Sequence, residues 1–234
     1  MTLLLTNDDG IDAPGIYALQ QAVEQSGKSN VYMVAPKGQA SGCSHQLTRG
    51  GALTITPRSS RAFAVDGTPA DCTRIALAHL ATSTSLVLSG INAGGNLGAD
   101  VYVSGTVAAV REAVLHRIPG IAISHYIRNQ QPIDWERASR LTARVLDKLL
   151  ATPIPDGTFW NVNLPSRPED SAEFNDEPDI IECPLCTQPL PIEHRVDGES
   201  LCFIGRYDQR PRDKGADVDV CFSGNIAITS VRLW

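Results

Sequence analysis

Residues 1–15 read Met1-Thr-Leu-Leu-Leu-Thr-Asn-Asp-Asp-Gly-Ile-Asp-Ala-Pro-Gly15, and this stretch decides the expected fold. A short apolar run, Leu3–Thr6, is followed closely by two adjacent aspartates, Asp8 and Asp9. Such a run is typical of a buried parallel strand, which places both carboxylates at the carboxyl end of that strand. In open α/β sheets, ligands bind at this edge.

Two neighbouring carboxylates repel each other, by about 4 kcal/mol at ~4 Å and an effective dielectric near 20. A cation held between Asp8 and Asp9 removes that cost, so the pair indicates a metal site. The alternative is a solvated turn, because Asn, Asp and Gly all favour turns. Taken alone, the stretch supports both interpretations equally.

Short apolar runs alternate with longer amphipathic ones, the pattern of a parallel sheet covered by helices. The expected strands of the main sheet are Leu3–Thr6, Val31–Ala35, Leu86–Leu88, Gly120–Ser124, Phe159–Leu164 and Ile226–Val231. The expected helices are Ile16–Gln25, one capped by Thr68, one over Ser104–His116 and one capped by Asp134.

Two further pairs of short strands are expected outside that sheet. Leu53–Thr56 and Ala62–Val65 form a hairpin set aside from it, and Ile180–Glu182 pairs with Leu201–Ile204 in an extended arm. Residues 165–220 are rich in Pro, Asp and Arg and have little helical period. We therefore expect one domain over residues 1–234, with a core of about 1–165 and 222–234 and an arm of about 166–221.

Composition excludes several classes of protein. The net charge of −6 argues against a basic surface for a nucleic acid polymer. No apolar run approaches the ~20 residues that span a bilayer, so we expect no membrane segment. The first residues lack the basic flank and long apolar stretch of a signal peptide, which favours a cytoplasmic protein.

The six cysteines are expected to be free thiols, as is usual in the cytoplasm. Cys183 and Cys186 form a single CxxC pair. A structural zinc site needs a second pair of ligands, and His194 and Cys202 lie at irregular spacing. Thiols on a strand or turn are therefore the favoured interpretation.

Polar residues follow several of the predicted strands, and loops after parallel strands gather at one sheet edge. Asp8 and Asp9 offer charged oxygens, while Ser41 and Asn92 offer neutral ones. This set of ligands suits Mg²⁺ or Mn²⁺ better than Zn²⁺, which prefers thiolate and imidazole.

Ser104-Gly105-Thr106 precedes a predicted helix, whose free N–H groups favour an anion such as phosphate. The alternative is a plain serine N-cap. Asn96 can donate its amide to a phosphate or close a turn, and His45 can be an acid–base group or an ordinary hydrogen-bonding residue. No Gly-x-Ser-x-Gly elbow is present, which disfavours a serine hydrolase.

Five ordered motifs resemble the SurE family of metal-dependent nucleoside monophosphate phosphatases. They are Thr6-Asn-Asp-Asp-Gly-Ile-Asp-Ala-Pro-Gly15, Val34-Ala-Pro36 with Ser41-Gly42, Gly67-Thr-Pro-Ala-Asp-Cys72, Ser89-Gly-Ile-Asn-Ala-Gly-Gly-Asn-Leu-Gly98 and Ser104-Gly-Thr-Val-Ala-Ala109. The resemblance implies an α/β fold: a Rossmann-like three-layer α/β/α core with a mainly parallel sheet and a protruding β-hairpin arm in the C-terminal third. It also implies one divalent ion per subunit, Mg²⁺ or Mn²⁺, and a homodimer or homotetramer.

The resemblance further implies which residues form the site. Its metal ligands correspond to Asp8, Asp9, Ser41 and Asn92, and its phosphate contacts to Asn96, Ser104, Gly105 and Thr106. The implied reaction is hydrolysis of nucleoside 5′- and 3′-monophosphates, and for some members of short polyphosphate. The family usually has an aromatic residue directly before the Ser-Gly-Thr turn, where this chain has Val103 preceded by Tyr102.

The hypothesis from the sequence is a 5′-nucleotidase that uses a metal to hydrolyse a phosphomonoester, with Asp8 and Asp9 as its catalytic residues. One alternative is a phosphatase in which Asp8 is a covalent nucleophile, as in haloacid-dehalogenase-like enzymes. Those enzymes use an Asp-x-Asp pattern, whereas the two aspartates here are adjacent. The other alternative is a module that binds nucleotides without catalysis.

Overall fold

A nine-stranded, mostly parallel sheet forms the centre of the computed structural model, which describes residues 1–167 and 176–234. The strands are β1 Thr2–Thr6, β2 Val31–Pro36, β3 Ile55–Pro57, β4 Ala62–Val65, β5 Thr84–Ala93, β6 Gly120–His125, β7 Thr158–Leu164, β8 Ile180–Glu182, β9 His194–Asp197, β10 Ser200–Phe203 and β11 Ile226–Arg232. Their order across the sheet is β3-β4-β2-β1-β5-β6-β7-β11-β8, and β9 with β10 forms a separate hairpin.

Helices cover both faces of the sheet. They are α1 Pro14–Gln25, α2 Pro69–Ile75, α3 Gly105–Leu115, α4 Trp135–Leu149 and α5 Asp217–Phe222, with a π-helical turn over Ala76–Leu80 and 3₁₀ turns over Gly98–Tyr102 and Tyr207–Gln209. Helices α1 and α4 pack together on one face, and α2 packs with α3 on the other. The predicted three-layer α/β/α core with a protruding hairpin is confirmed. Within the described residues, no helix is both long and apolar enough to cross a membrane.

Strand β1 lies in the middle of the sheet, between β2 and β5, and all five of its residues are buried. It runs parallel to both neighbours, with Leu5 opposite Met33 and Leu88. The carboxyl ends of the three strands therefore meet at one edge. This is the edge at which the chain turns into Asp8 and Asp9.

The predicted helix starts are confirmed where the sequence offers a cap. The Thr68 hydroxyl accepts a hydrogen bond from the Asp71 N–H at 3.1 Å, and the Asp71 carboxylate accepts one from the Thr68 N–H at 3.0 Å. Together they form a capping box at α2. Asp134 caps α4 with a single hydrogen bond, accepted from the Arg137 N–H at 3.0 Å.

The expectation that the first short hairpin lies outside the main sheet is wrong. Strands β3 and β4 do pair antiparallel, but β4 also runs parallel to β2, with Val34 opposite Phe63. Ala64 and Val65 are buried there. The open edge of β2 gives these apolar side chains a larger buried surface than an isolated hairpin has.

The expected pairing of Ile180–Glu182 with Leu201–Ile204 is also wrong. Strand β8 pairs parallel with β11, while β10 pairs with β9 across a tight turn at Gly198. A two-residue connection closes a local hairpin at lower entropic cost than a pairing across some twenty residues. Residues 168–175 of the expected arm lie outside the described residues.

Helix α1 enters very close to the backbone of β5. A Cβ on Gly15 would lie 2.0 Å from the Ile91 carbonyl oxygen and 3.2 Å from the Trp135 ring. Only glycine allows this approach, which sets the distance between the loop after β1 and the end of β5.

We therefore expect Gly15→Ala to lower the free energy of unfolding by about 2 kcal/mol or more, because backbone must move to make room. Gly51→Ala is the matched control, since its Cβ would meet only the Thr48 methyl group at 3.6 Å. Urea denaturation compares the two variants. Equal stability of both would contradict the close approach.

Candidate active site

Asp8 is the buried centre of the candidate site. Its side chain lies directly after β1, is 5% exposed, and accepts a hydrogen bond from the Thr106 hydroxyl at 2.5 Å. A Cβ on Gly105 would lie 2.9 Å from Asp8 Oδ2, so only glycine fits at this position. The first turn of α3 thus packs directly against the Asp8 carboxylate, and the predicted proximity of the two motifs is present in the structure.

Asp9 points to the end of the neighbouring strand. Its Oδ2 accepts a hydrogen bond from the Ala93 N–H at 3.1 Å, one residue after Asn92. The Asn92 amide donates to the Gly94 carbonyl at 2.7 Å, and its Oδ1 has no hydrogen-bond donor in the described part of the chain. Asn92 therefore offers a free carbonyl oxygen beside Asp9.

The loop after β2 completes the edge. The Ala40 N–H donates to the Asp8 carbonyl oxygen at 2.7 Å, which places Ser41 next to the acidic pair. The Ser41 hydroxyl is exposed and accepts from the Gln39 amide at 3.0 Å. The segments carrying Asp8, Asp9, Ser41 and Asn92 thus converge, as the sequence predicts for loops after parallel strands.

Electrostatics at this edge favour a bound cation. Burial raises the pKa of Asp8 to about 6, opposed by the hydrogen bond from Thr106 and reinforced by the charge of Asp9. Burial also raises the pKa of Asp9, although the Ala93 N–H opposes this. Among the described residues, no Lys, Arg or His forms an ion pair with either carboxylate.

The chemistry of the donors distinguishes between metals. No cluster of three or more His, Cys, Asp or Glu side chains in the described ranges is placed to hold an ion. A cation here would rest on two carboxylates and neutral oxygens, which fits Mg²⁺ or Mn²⁺ and not Zn²⁺. The residues present therefore fit the divalent ion, Mg²⁺ or Mn²⁺, that the family resemblance implies.

Asn96 and Ser104 have structural partners. The Asn96 amide donates to the Ser124 hydroxyl at 2.7 Å, so one of its two amide hydrogens is already committed. Its backbone carbonyl accepts from the side chains of Asn161 and Asn163 at 2.8 and 3.0 Å. The Ser104 hydroxyl accepts from the Val107 N–H at 3.1 Å and caps α3.

The asparagines of β7 were not identified as functional residues from the sequence. Asn161 and Asn163 are fully buried on one face of an otherwise apolar strand and hold the backbone of Asn96. Their spacing of two residues, in a strand expected to be buried, is the signal that could have found them.

His45 belongs to an ionic network around the buried carboxylate of Glu112 and is not a free acid–base group. Its Nε2 lies 2.7 Å from the carboxylate of Glu112, which also pairs with Arg74 and with His116. The Glu112 side chain is only 1% exposed. The network ties the loop that carries Ser41 to helices α2 and α3, and a lone glutamate within an apolar helix is its signal in the sequence.

The remaining candidates lie elsewhere. Cys183 and Cys186 are buried free thiols, and burial raises the pKa of Cys183 to about 11. Their surroundings in the described residues do not form a zinc site. Tyr102 and Val103, before the Ser-Gly-Thr turn, are both exposed, by 69% and 53%.

Known proteins resemble this chain over its whole length. A family model described as Survival protein SurE matches residues 3–178. A protein of Nostoc sp. is 53% identical over 234 residues, all of both chains. The protein named 5′-nucleotidase SurE of Geotalea uraniireducens is 38% identical, covering 100% of this chain and 93% of that one. The crystal structure of the SurE protein from Aquifex aeolicus superposes with a TM-score of 0.82 at 30% identity, covering 100% of this chain and 94% of that one.

The lowered pKa of Glu112 makes the stability of the fold depend on pH. Burial opposes its ionisation, but hydrogen bonds from His45 and Arg74 outweigh burial and lower its pKa to about 2, from an ordinary 4.5. A lowered pKa stabilises the fold above pH 4.5, and this contribution is lost as the pH falls from 4.5 towards 2.

We expect Glu112→Gln to lower the free energy of unfolding at pH 7 by about 2 kcal/mol, because the buried side chain loses its charge-assisted hydrogen bonds with Arg74 and His45. The difference from the wild type should shrink below pH 4.5. Urea titrations at pH 7, 5 and 3.5 measure it, with the exposed Glu24→Gln as control. A difference independent of pH would refute this account.

Proposed function

The chain belongs to the survival protein SurE family, and we propose that it hydrolyses nucleoside 5′-monophosphates to a nucleoside and phosphate. The observation that carries this proposal is the pair of adjacent carboxylates, one buried, without a cationic partner in the described residues, beside the first turn of a helix. A cation and an anion can bind side by side there. Relatives named 5′-nucleotidase support the substrate class.

In this proposal Asp8, Asp9, Ser41 and Asn92 hold one Mg²⁺ or Mn²⁺ ion per subunit. A bound ion would supply Lewis acidity, which polarises a phosphoryl oxygen and lowers the pKa of a water molecule. The free Oδ1 of Asn92 and the exposed hydroxyl of Ser41 complement the two carboxylates. Filling the site also offsets the cost of burying the charged form of Asp8.

The residues around the ion have separate roles in binding substrate. The first-turn N–H groups at Gly105 and Thr106 bind the phosphate, aided by the Ser104 hydroxyl and the second amide hydrogen of Asn96. The Thr106 hydroxyl is committed to Asp8, so it orients that carboxylate. Asp9 accepts the Ala93 N–H at Oδ2, which fixes its carboxylate beside the end of β5, and one of the two aspartates orients or deprotonates the attacking water.

The broader activity and the assembly belong to the same proposal. By resemblance to the family, nucleoside 3′-monophosphates and short polyphosphate are further substrates, and the protein is a cytoplasmic homodimer or homotetramer. The hairpin of β9 and β10 supports an assembly, because Val196, Leu201 and Phe203 are exposed on it.

We expect Asp9→Asn to reduce phosphate release from AMP on the order of 10³-fold, since it removes a charged ligand worth several kcal/mol. Asp12→Asn is the matched control, because Asp12 lies on the same loop but is exposed and pairs with Arg58. Kinetics on folded protein measure both. Unchanged turnover in Asp9→Asn would remove the basis of the proposal.

We also expect chelation to abolish turnover of AMP and GMP by the wild type, and Mg²⁺ or Mn²⁺ to restore it, because the donors are all oxygens. Phosphate release from nucleotides and polyphosphate, with each metal and with chelator, measures this. Nucleotide binding without hydrolysis in excess Mn²⁺ would indicate a binding module instead. A phosphoenzyme trapped on Asp8 would indicate a covalent nucleophile.

A further inference from the structure

The loop over residues 92–98 carries two proposed site residues, Asn92 and Asn96, yet residues far along the chain hold its backbone. The loop leaves β5 and enters the 3₁₀ turn, so much of its backbone lacks partners in the sheet. Buried N–H and C=O groups need partners. Asn161 and Asn163 hold the backbone of Asn96, as described above. The backbone on either side of Asn96 is contacted by three later residues, Tyr207, Arg210 and Asp217.

Arg210 makes the first of these contacts. Its side chain is fully buried, a rare position for a guanidinium. Nη1 donates to Asp100 Oδ2 at 2.8 Å, and Nη2 donates to the Leu97 carbonyl at 2.9 Å. The same side chain thus holds the loop backbone directly and pairs with the acid that follows the loop.

Tyr207 acts on the same carboxylate. Its hydroxyl donates to Asp100 Oδ2 at 2.5 Å and lies 3.4 Å from the Gly95 carbonyl. Asp100 Oδ2 also accepts from the Leu97 N–H at 3.1 Å. Burial and the adjacent Asp100 charge raise the pKa of Tyr207, so its hydroxyl remains a donor.

Asp217 holds the far end of the loop. Its Oδ2 accepts from the Gly98 N–H at 2.7 Å, and its Oδ1 accepts from the Cys186 N–H at 2.8 Å. Gly98 is close to its neighbours, since a Cβ there would lie 2.8 Å from the Cys186 carbonyl oxygen. The loop is therefore fixed near both Leu97 and Gly98.

We propose that Tyr207 and Arg210 are positioning residues for the reaction proposed above, acting through Asp100 and Leu97 on the loop that carries Asn92 and Asn96. Neither is among the proposed metal ligands or phosphate contacts. Their hydrogen bonds set where the Asn92 oxygen and the Asn96 amide stand relative to Asp9. Loss of either shifts these groups without removing them, so catalysis and metal affinity fall while the fold persists.

Tyr207→Phe is the sharpest test. It removes only the hydroxyl and keeps the ring, which packs near Tyr126 and Phe222 at 6.2 and 6.1 Å between centroids. Asp100 keeps Arg210 and the Leu97 N–H as partners, so the variant should fold. We expect kcat for AMP to fall about tenfold with little change in KM, and Mn²⁺ affinity to weaken about tenfold, as for other groups that support metal ligands.

Arg212→Gln is the matched control. Arg212 lies two residues after Arg210, is half-exposed, and pairs with Asp219 at 3.5 Å instead of with the loop. We expect its kcat and Mn²⁺ affinity to equal those of the wild type. Arg210→Lys is the second variant, because one ammonium cannot contact both Asp100 and the Leu97 carbonyl in the same geometry.

Hydrogen–deuterium exchange provides a readout that is independent of activity. In Tyr207→Phe, uptake should increase in peptides covering residues 92–101 and stay unchanged in those covering β1 and α1. Unchanged uptake in the peptides covering residues 92–101, together with unchanged Mn²⁺ affinity, would overturn the proposal. A loss of thermal stability with kcat unaffected would overturn it as well. If the wild type releases no phosphate, the proposed function fails, while exchange still decides the positioning role.

Discussion

The buried carboxylate of Asp8 is the constraint on which the rest of this edge depends. It follows β1, a fully buried strand inside the sheet, where burying a charge costs several kcal/mol unless a partner compensates. Within the described residues, the Thr106 hydroxyl and the backbone N–H groups of Asp8 and Thr106 stabilise the charged form, and no cation does. A carboxylate held this way is only partly compensated, and a bound ion is the natural complement.

The backbone around Asp8 is arranged to bring other groups to that carboxylate. Gly105 has no Cβ, so the first turn of α3 can lie against the Asp8 carboxylate. The Ala40 N–H donates to the Asp8 carbonyl, so two loops meet at Asp8. Gly15 does the same for α1 and β5. Small residues at close approaches thus fix the distances between loops, while polar side chains fix their orientation.

Sequence reasoning succeeded where the deciding interactions are local. The central strands follow from apolar runs, and the caps at Thr68 and Asp134 follow from hydrogen bonds within one helical turn. Those strand ends then place the acidic pair and the Ser-Gly-Thr turn at one edge, because parallel strands share a direction. That much of the site needs no knowledge of distant contacts.

Predictions from the sequence failed where the interaction partner of a residue or strand lies far along the chain. Strand β8 has three residues, and nothing within it indicates that β11 is its neighbour. The position of β4 beside β2 likewise depends on which edge is open, a property of the assembled sheet. Glu112 and Asn163 are polar residues in largely apolar segments, and the partners that they hold, His45 and the Asn96 carbonyl, lie far along the chain and are identified only by the structure.

The residues that support the candidate site lie in a different part of the chain from its proposed ligands. All proposed ligands and phosphate contacts lie before residue 107, within the matched range 3–178. Tyr207, Arg210 and Asp217 lie beyond that range, yet they hold the backbone between Gly95 and Gly98. The motifs therefore contain the proposed binding groups, whereas the placement of one loop that carries them depends on a segment outside those motifs. A comparison by motif alone would find the proposed ligands of this edge and overlook the residues that hold the loop between Gly95 and Gly98 in place.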